Sequence, residues 1–257
     1  MASIDLDKIV AAAKDAGEEI LNVYARDFDV EFKVDDSPLT AADQAANAVI
    51  MDALRTHYPG IPVISEENRE VPYSERSGWE EFWLVDPLDG TKEFVKKNGE
   101  FTVNIALVKH GAPVAGVVYR PVDRTLYCAE SGSGAFKSSG HASPEKIFNN
   151  CHYLSREEVT VVASRSHRTQ ETDDFIEDLR GKGKSVDCIA TGSSLKLCLV
   201  AEGAANVYPR FGPTMEWDTG AAQSIVLESG RQVLEYPAGE PLTYNKPSLK
   251  NPWFVVE

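Results

Sequence analysis

Phe82-Trp83-Leu84-Val85-Asp86-Pro87-Leu88-Asp89-Gly90-Thr91 reads as an apolar strand that stops abruptly in two aspartates around a proline, followed by a glycine. Strand ends are where α/β proteins build their sites. Pro87 fixes one backbone dihedral and removes a donor, so Asp86 and Asp89 can converge while the Leu88 carbonyl points the same way, which offers hard oxygen ligands from a very short segment. The same D-P-x-D-G run is favourable turn chemistry, and alone it reads equally well as an ordinary turn.

Outward from this stretch, apolar residues Ile4, Leu6, Ile9, Val10, Ala13, Ala16, Ile20, Leu21, Val23 and Tyr24 recur at helical spacing. A second helical pattern runs from about Thr40 through Val49, Ile50 and Leu54 to the Pro59-Gly60 stop. Short apolar runs at 61–64, 82–85, 102–109, 114–119 and 125–129, with turns at His110-Gly111 and Pro121-Val122-Asp123, predict an antiparallel meander backed by the helices. From 138 to 158 the chain turns polar, as a boundary between lobes would. Beyond it, strands at 159–163, 185–190 and 205–208 alternate with helices at 169–179, 193–202 and 217–229. The expected division is an α+β lobe over 1–140 and an α/β lobe over 156–257.

The chain has 257 residues, 42% of them hydrophobic and 26% charged, enough to bury a real core. Its 26 Lys plus Arg against 40 Asp plus Glu give a net charge of −14, the wrong sign for holding a nucleic acid polymer or an anionic membrane. A small anionic substrate would need a local cluster of cations, from basic side chains or bound metal. No basic leader precedes an apolar core, and no run approaches the roughly 18 apolar residues of a membrane span, so the chain reads as a soluble cytoplasmic protein. Cys128, Cys151, Cys188 and Cys198 are widely spaced without a C-x-x-C pair, which indicates neither zinc nor a thioredoxin-like motif and points to reduced, buried thiols.

Three further acidic segments shift the balance toward a site. Ser65-Glu66-Glu67 follows a strand, Asp43 starts the second helix after Ser37-Pro38-Leu39-Thr40, and Glu216-Trp217-Asp218-Thr219-Gly220 opens a late helix. Gathered into one pocket without cations, these carboxylates would repel at a cost of several kcal/mol, so convergence makes sense only around divalent metal. Oxygen ligation with no paired His or Cys selects Mg²⁺ or Mn²⁺ over zinc.

With these motifs in register, the chain resembles the lithium-sensitive, magnesium-dependent phosphatases of the inositol monophosphatase superfamily. The metal motif D-P-[LI]-D-G-[ST] stands at Asp86 to Thr91, S/G-E-E at Ser65-Glu66-Glu67, and W-D-x-x-[AG]-[AG] at Trp217-Asp218-Thr219-Gly220-Ala221-Ala222. Lys92-Glu93-Phe94, followed by Asn98-Gly99-Glu100-Phe101-Thr102-Val103-Asn104, resembles the 3′(2′),5′-bisphosphate nucleotidase branch. So do Ser164-Arg165-Ser166-His167, Gly192-Ser193-Ser194-Leu195-Lys196 and Tyr208-Pro209-Arg210-Phe211-Gly212. Taken singly, a lone basic residue in a loop is usually solvated, and Ser193-Ser194 could merely cap a helix.

The resemblance implies a layered αβαβα sandwich of two lobes, with the active site in the cleft between them. It implies that Glu66, Asp86, Asp89, Asp218 and the Leu88 carbonyl hold up to three Mg²⁺ ions, with Mn²⁺ as a substitute, and that Gly90 and Thr91 present backbone N–H groups to the phosphate. Thr91, with Asp43 or Glu66, would orient and deprotonate the attacking water. His167, Ser193, Lys196 and Arg210 would bind the nucleotide, adenosine 3′,5′-bisphosphate being the favoured substrate and its sulfated relative the second candidate. The protein would act as a monomer or homodimer on a small phosphorylated nucleotide. Two rivals stay open: a phosphatase for inositol or fructose phosphates, and a catalytically silent nucleotide or metal sensor. Gly183-Lys184-Ser185 is no P-loop, because Asp178 stands where its first glycine belongs. Gly220, where many members carry alanine, and the basic run 180–184 depart from the family pattern.

Overall fold

In the computed structural model, which describes residues 4–25, 30–32, 38–163 and 169–257, the chain opens with α1 (Leu6–Tyr24), the antiparallel pair β1 (Val30–Phe32) and β2 (Pro38–Thr40), and α2 (Ala41–His57). There follow β3 (Val63–Ser65), a short α3 (Tyr73–Arg76), β4 (Glu81–Asp89), α4 (Thr91–Val95), β5 (Thr102–Lys109), β6 (Ala112–Arg120), β7 (Thr125–Glu130), β8 (Gly134–Ser138) and β9 (Glu145–Ile147). The remainder supplies β10 (Glu158–Ala163), α5 (Gln170–Gly181), β11 (Ser185–Ala190), α6 (Leu195–Ala201), β12 (Tyr208–Arg210), α7 (Glu216–Glu228), β13 (Val233–Glu235) and β14 (Phe254–Val256).

Strands β3 to β9 form one sheet in sequence order. Its middle strands are largely apolar because both faces are covered, and the period of two sorts their side chains. Trp83, Val85, Val103, Ile105, Leu107, Val117 and Tyr119 pack against α1 and α2. Phe82, Leu84, Ala106, Val108, Val118 and Tyr127 face α6 and α7 on the other side. Each large side chain fully buried in this way contributes roughly 1.5–3 kcal/mol. Behind α6 and α7 lies a second layer of strands, β10 parallel to β11 and the set β12-β14-β13, linked by the bridge Val161–Val207. Ile176 and Leu179 of α5 close its outer face against Val159, Val161, Val207 and Val255. The layers therefore run αβαβα, as the resemblance implies. No helix among the described residues is long and apolar enough to cross a membrane.

The structure corrects several sequence expectations. The sheet is not purely antiparallel, because β3 runs parallel to β4, reached by a crossover through α3. The strand at 82–85 continues through Pro87 to Asp89, and the last strand of the sheet, β9, falls within the polar stretch 138–158. The strand expected at 205–208 is displaced to β12, and the helix at 193–202 starts at Leu195, because Ser193 adopts a left-handed φ of 49°. All four cysteines are free, but only Cys128 and Cys198 are buried, while Cys188 is exposed. The basic run 180–184 is accounted for locally: Arg180 pairs with Glu177 at 2.7 Å, Lys182 with Asp178 at 2.6 Å, and Lys184 Nζ donates to the Leu154 and Arg156 carbonyls, each at 2.7 Å.

Close approach explains two small residues at the sheet–α7 interface. A Cβ on Gly220 would lie 2.9 Å from Leu84 Cδ2, so the family's alanine would require that side-chain tip to shift. On Gly116 of β6 it would lie 2.2 Å from Ser224 Oγ and 2.3 Å from the Ala221 carbonyl oxygen, both on α7. Backbone cannot yield as a side-chain tip can. Gly116→Ala should therefore lower stability by about 1–3 kcal/mol, read as a drop in Tm, whereas Gly181→Ala, which meets open space, should leave Tm nearly unchanged. Equal Tm values for the two variants would contradict this packing.

Candidate metal and phosphate site

Pro87 supplies no ladder donor, and the pairing of β4 with β5 slips between Asp86, opposite Asn104, and Asp89, opposite Thr102. The Leu88 N–H donates to Asp86 Oδ1 at 3.1 Å, which folds that carboxylate over its own turn. Gly90 takes φ +93° before the first residue of α4, a conformation glycine adopts without strain. Thr91 Oγ1 donates to the Leu88 carbonyl at 3.4 Å, so its hydrogen bond here is to an expected metal ligand rather than to Asp43 or Glu66.

Glu66 is held against β4 by its N–H, which donates to the Val85 carbonyl at 3.1 Å, while the neighbouring Ser65 hydroxyl donates to Asn47 of α2 at 2.8 Å. Asp218 lies in the first turn of α7, where its Oδ2 accepts from the Met215 N–H at 2.9 Å and the helix N-terminus favours negative charge. Carboxylate oxygens of Glu66, Asp86 and Asp218 all lie within 4.8 Å of one another. Asp89 completes the acidic wall, and its Oδ2 accepts from the Ser194 N–H at 2.6 Å.

Burial pushes the Asp86 carboxyl well above the usual range, and the charges of Glu66, Asp89, Asp218 and Asp43 push it further. Burial, then Asp89, raises Asp218 to about 8 against the bond from Met215. Such a set is poised for a divalent cation, whose charge would relieve the repulsion and fill the carboxylate lone pairs.

A cavity of about 320 Å³ opens on these groups. Glu66, Asp86, Leu88, Asp89, Gly90, Thr91 and Asp218 line it together with Ser193, Lys196 and Arg210, so nearly the whole set expected from sequence shares one space. Asp43 stands behind it, buried in the first turn of α2. His167 lies outside the described residues. Lys196 Nζ donates to the Ser193 carbonyl at 2.7 Å, and burial lowers its ammonium to about 8 against the pull of Asp89. Arg210 donates through Nη2 to the Pro213 carbonyl at 2.8 Å.

Ser194, Asn104, Glu93, Thr191 and Tyr208 were given no individual role by the sequence. Glu93, Thr191 and Tyr208 line the cavity, while Asn104 and Ser194 tie Asp89 to its surroundings. For Asn104 a signal existed: a lone amide in the otherwise apolar strand 103–108, directly opposite Asp86.

Carboxylates whose folded pKa lies above the unfolded value retain protons in the native state, so their stabilisation is complete below about pH 4 and is lost as pH rises through the folded value. Between 3.8 and about 8, metal-free protein should therefore lose stability through Asp218 and Asp86. Tm measured in chelator should fall from pH 6 to pH 8, millimolar Mg²⁺ should suppress the fall, and Asp218→Asn should flatten it. A Tm that climbs over this interval in wild-type protein would contradict the buried acidic cluster.

Comparison with known proteins bears on the same residues. Residues 5–252 match the inositol monophosphatase family. The 3′(2′),5′-bisphosphate nucleotidase CysQ of Escherichia coli O157:H7 is 46% identical over 254 residues, 98% of each chain. That of Salmonella typhimurium strain LT2 is 44% identical over 254 residues, again 98% of each. The crystal structure of CysQ from Bacteroides thetaiotaomicron, a bacterial member of the inositol monophosphatase family, superposes with a TM-score of 0.86 at 48% identity, covering 97% of this chain and 95% of that one. Similarity thus spans the β3 to α4 wall of the cavity and the α6 to α7 wall alike, and the chain belongs to the inositol monophosphatase family.

Proposed function

We propose that this protein is a Mg²⁺-dependent phosphatase that removes the 3′-phosphate of adenosine 3′,5′-bisphosphate to give AMP and phosphate, with the sulfated nucleotide as a second substrate. The observation that carries this reading is the meeting, in one cavity, of a carboxylate cluster with two cations, Lys196 and Arg210. A monophosphate needs one anion site, whereas a bisphosphate needs a second. The names of the relatives, 3′(2′),5′-bisphosphate nucleotidases, support the same substrate class.

The donor set fits a hard divalent cation: oxygens only, buried, mutually repelling, and placed on rigid element ends. Glu66, Asp86, Asp89, Asp218 and the Leu88 carbonyl would hold up to three Mg²⁺ ions, with Mn²⁺ as a substitute. Bound there, the metal supplies the positive charge that a water nucleophile and a departing ester oxygen need near neutral pH.

The protein's own groups do the rest. Thr91, with Asp43 or Glu66, orients the attacking water and takes its proton. Gly90 and Thr91 offer backbone N–H groups to the reacting phosphoryl oxygens at the start of α4. Lys196, Arg210 and Ser193, together with His167, hold the phosphate and ribose that do not react. Displacement in line by water needs no enzyme nucleophile.

Phosphate release from adenosine 3′,5′-bisphosphate, inositol 1-phosphate and fructose 1,6-bisphosphate, compared with and without Mg²⁺, tests the assignment: the nucleotide should give the highest kcat/KM, and turnover should vanish with chelator and return with Mg²⁺. A clear preference for either sugar phosphate would sink the substrate assignment. Asp86→Asn and Asp89→Asn should abolish turnover while retaining the fold by circular dichroism, and millimolar Li⁺ should inhibit. Arg210→Ala should lower kcat/KM for the bisphosphate by about 10- to 150-fold, the worth of a charged hydrogen bond of roughly 1.5–3 kcal/mol, and alter turnover of a monophosphate far less. Equal losses on both substrates would place Arg210 on the reacting phosphate instead.

A further inference from the structure

Ser194 stands at the start of α6, the position from which a serine ordinarily caps a helix, yet its side chain makes no capping bond. Its polar atoms are spent elsewhere. The Ser194 N–H donates to Asp89 Oδ2 at 2.6 Å, and its Oγ lies 2.9 Å from the same oxygen and 2.6 Å from the Asp218 carbonyl oxygen. Asn104 Nδ2 donates to Ser194 Oγ at 2.9 Å and reaches toward Asp89 Oδ2 at 3.4 Å. Turning the Asn104 amide over would set its oxygen against that carboxylate, so the nitrogen faces the cluster.

The proton count then fixes the direction of the network. Ser194 has one hydroxyl hydrogen, it already receives one from Asn104, and its backbone already serves Asp89. The hydroxyl hydrogen is therefore shared between the Asp218 carbonyl at 2.6 Å, the shorter contact, and Asp89 Oδ2 at 2.9 Å. The chain runs Asn104 amide to Ser194 hydroxyl to Asp218 carbonyl, with the Ser194 N–H fastening Asp89 beside it. Asn104 and Ser194 are almost fully buried, so no water competes for these bonds. The residue that opens α6 thus grips an acidic side chain of β4 and the backbone of the first turn of α7, whose Asp218 side chain belongs to the carboxylate cluster.

We propose that Ser194 is a positioning residue: it sets the orientation of Asp89, leaving Oδ1 for the cavity, and fixes the first turn of α7 against β4, so that the acidic groups are preorganised for a divalent cation. This rests on the reading that those carboxylates hold metal. Outer groups that orient metal ligands typically contribute 10- to 100-fold to affinity, the magnitude expected here.

The test is Mn²⁺ binding to the whole protein without substrate, followed by electron paramagnetic resonance of the free ion. Ser194→Ala should weaken binding about 10- to 100-fold and Asn104→Ala should weaken it by a smaller factor, while the double variant should lose less than the product of the two, because both act through one network. Ser229→Ala, which removes an equally buried hydroxyl that donates only to the Val226 carbonyl at the far end of α7, should bind Mn²⁺ as the wild type does. The Mg²⁺ concentration giving half-maximal turnover should rise in Ser194→Ala by the same factor as the Mn²⁺ constant. Wild-type affinity in Ser194→Ala, or losses that multiply in the double variant, would overturn the positioning role while leaving the metal site standing. No Mn²⁺ binding by wild-type protein would instead overturn the metal reading, and the positioning role with it.

Discussion

Mutual repulsion among buried carboxylates is the constraint on which the rest of this structure depends. With carboxylate oxygens of Glu66, Asp86 and Asp218 within 4.8 Å of one another, each pair, if both members were charged, would oppose folding by at least about 3.5 kcal/mol at an effective dielectric near 20. No covalent link holds these groups together. They are carried by the residue after β3, the C-terminal half of β4 and the first turn of α7, so the layers of the fold must be stiff enough to hold three separate elements against one another. The sheet, buried on both faces, supplies that stiffness, and its apolar core offsets a cost that loops could not sustain.

The first turn of α7 is the critical join, because Asp218 arrives from far along the chain. Glu216, completely buried two residues earlier, accepts from the Asn245 N–H at 2.7 Å, the Lys246 N–H at 3.0 Å and the Lys246 ammonium at 2.7 Å. Arg76, also buried, clasps the same loop through Asn245 Oδ1 at 2.8 Å and the Lys246 and Pro247 carbonyls at 2.7 and 3.0 Å. Gly116 and Gly220 then let α7 settle close against the sheet. Helix start, C-terminal loop and β4 are thereby tied into one block, with the acidic groups converging on a single cavity.

What could be read from the sequence follows from where physical chemistry leaves a strong local mark. Carboxylates that close apolar runs, as at Glu66 and Asp86, announce a site, and continuous apolar runs such as 105–108 announce strands covered on both faces. The edges left weaker marks: β9 is Glu145-Lys146-Ile147, too short and polar to reveal its pairing with β8, and the parallel direction of β3 depends on a crossover, not on its own composition. Contacts between distant positions left none. The bond from Ser194 to Asp89 spans 105 positions, and a Ser-Ser pair before an apolar helix looks locally like a cap. In the basic run 180–184, Arg180 and Lys182 pair within their own helix turn, while Lys184 reaches the Leu154 and Arg156 carbonyls, and His167 falls outside the described residues.

A crystal of the protein grown with Mn²⁺ and AMP, examined by anomalous scattering at the manganese edge, tests the central claim most directly. The account predicts manganese peaks within ligand distance of Glu66, Asp86, Asp89 and Asp218, with the 5′-phosphate of AMP on Lys196 and Arg210. An occupied nucleotide with no manganese at the carboxylate cluster, or manganese there with the 5′-phosphate turned away from both cations, would contradict it.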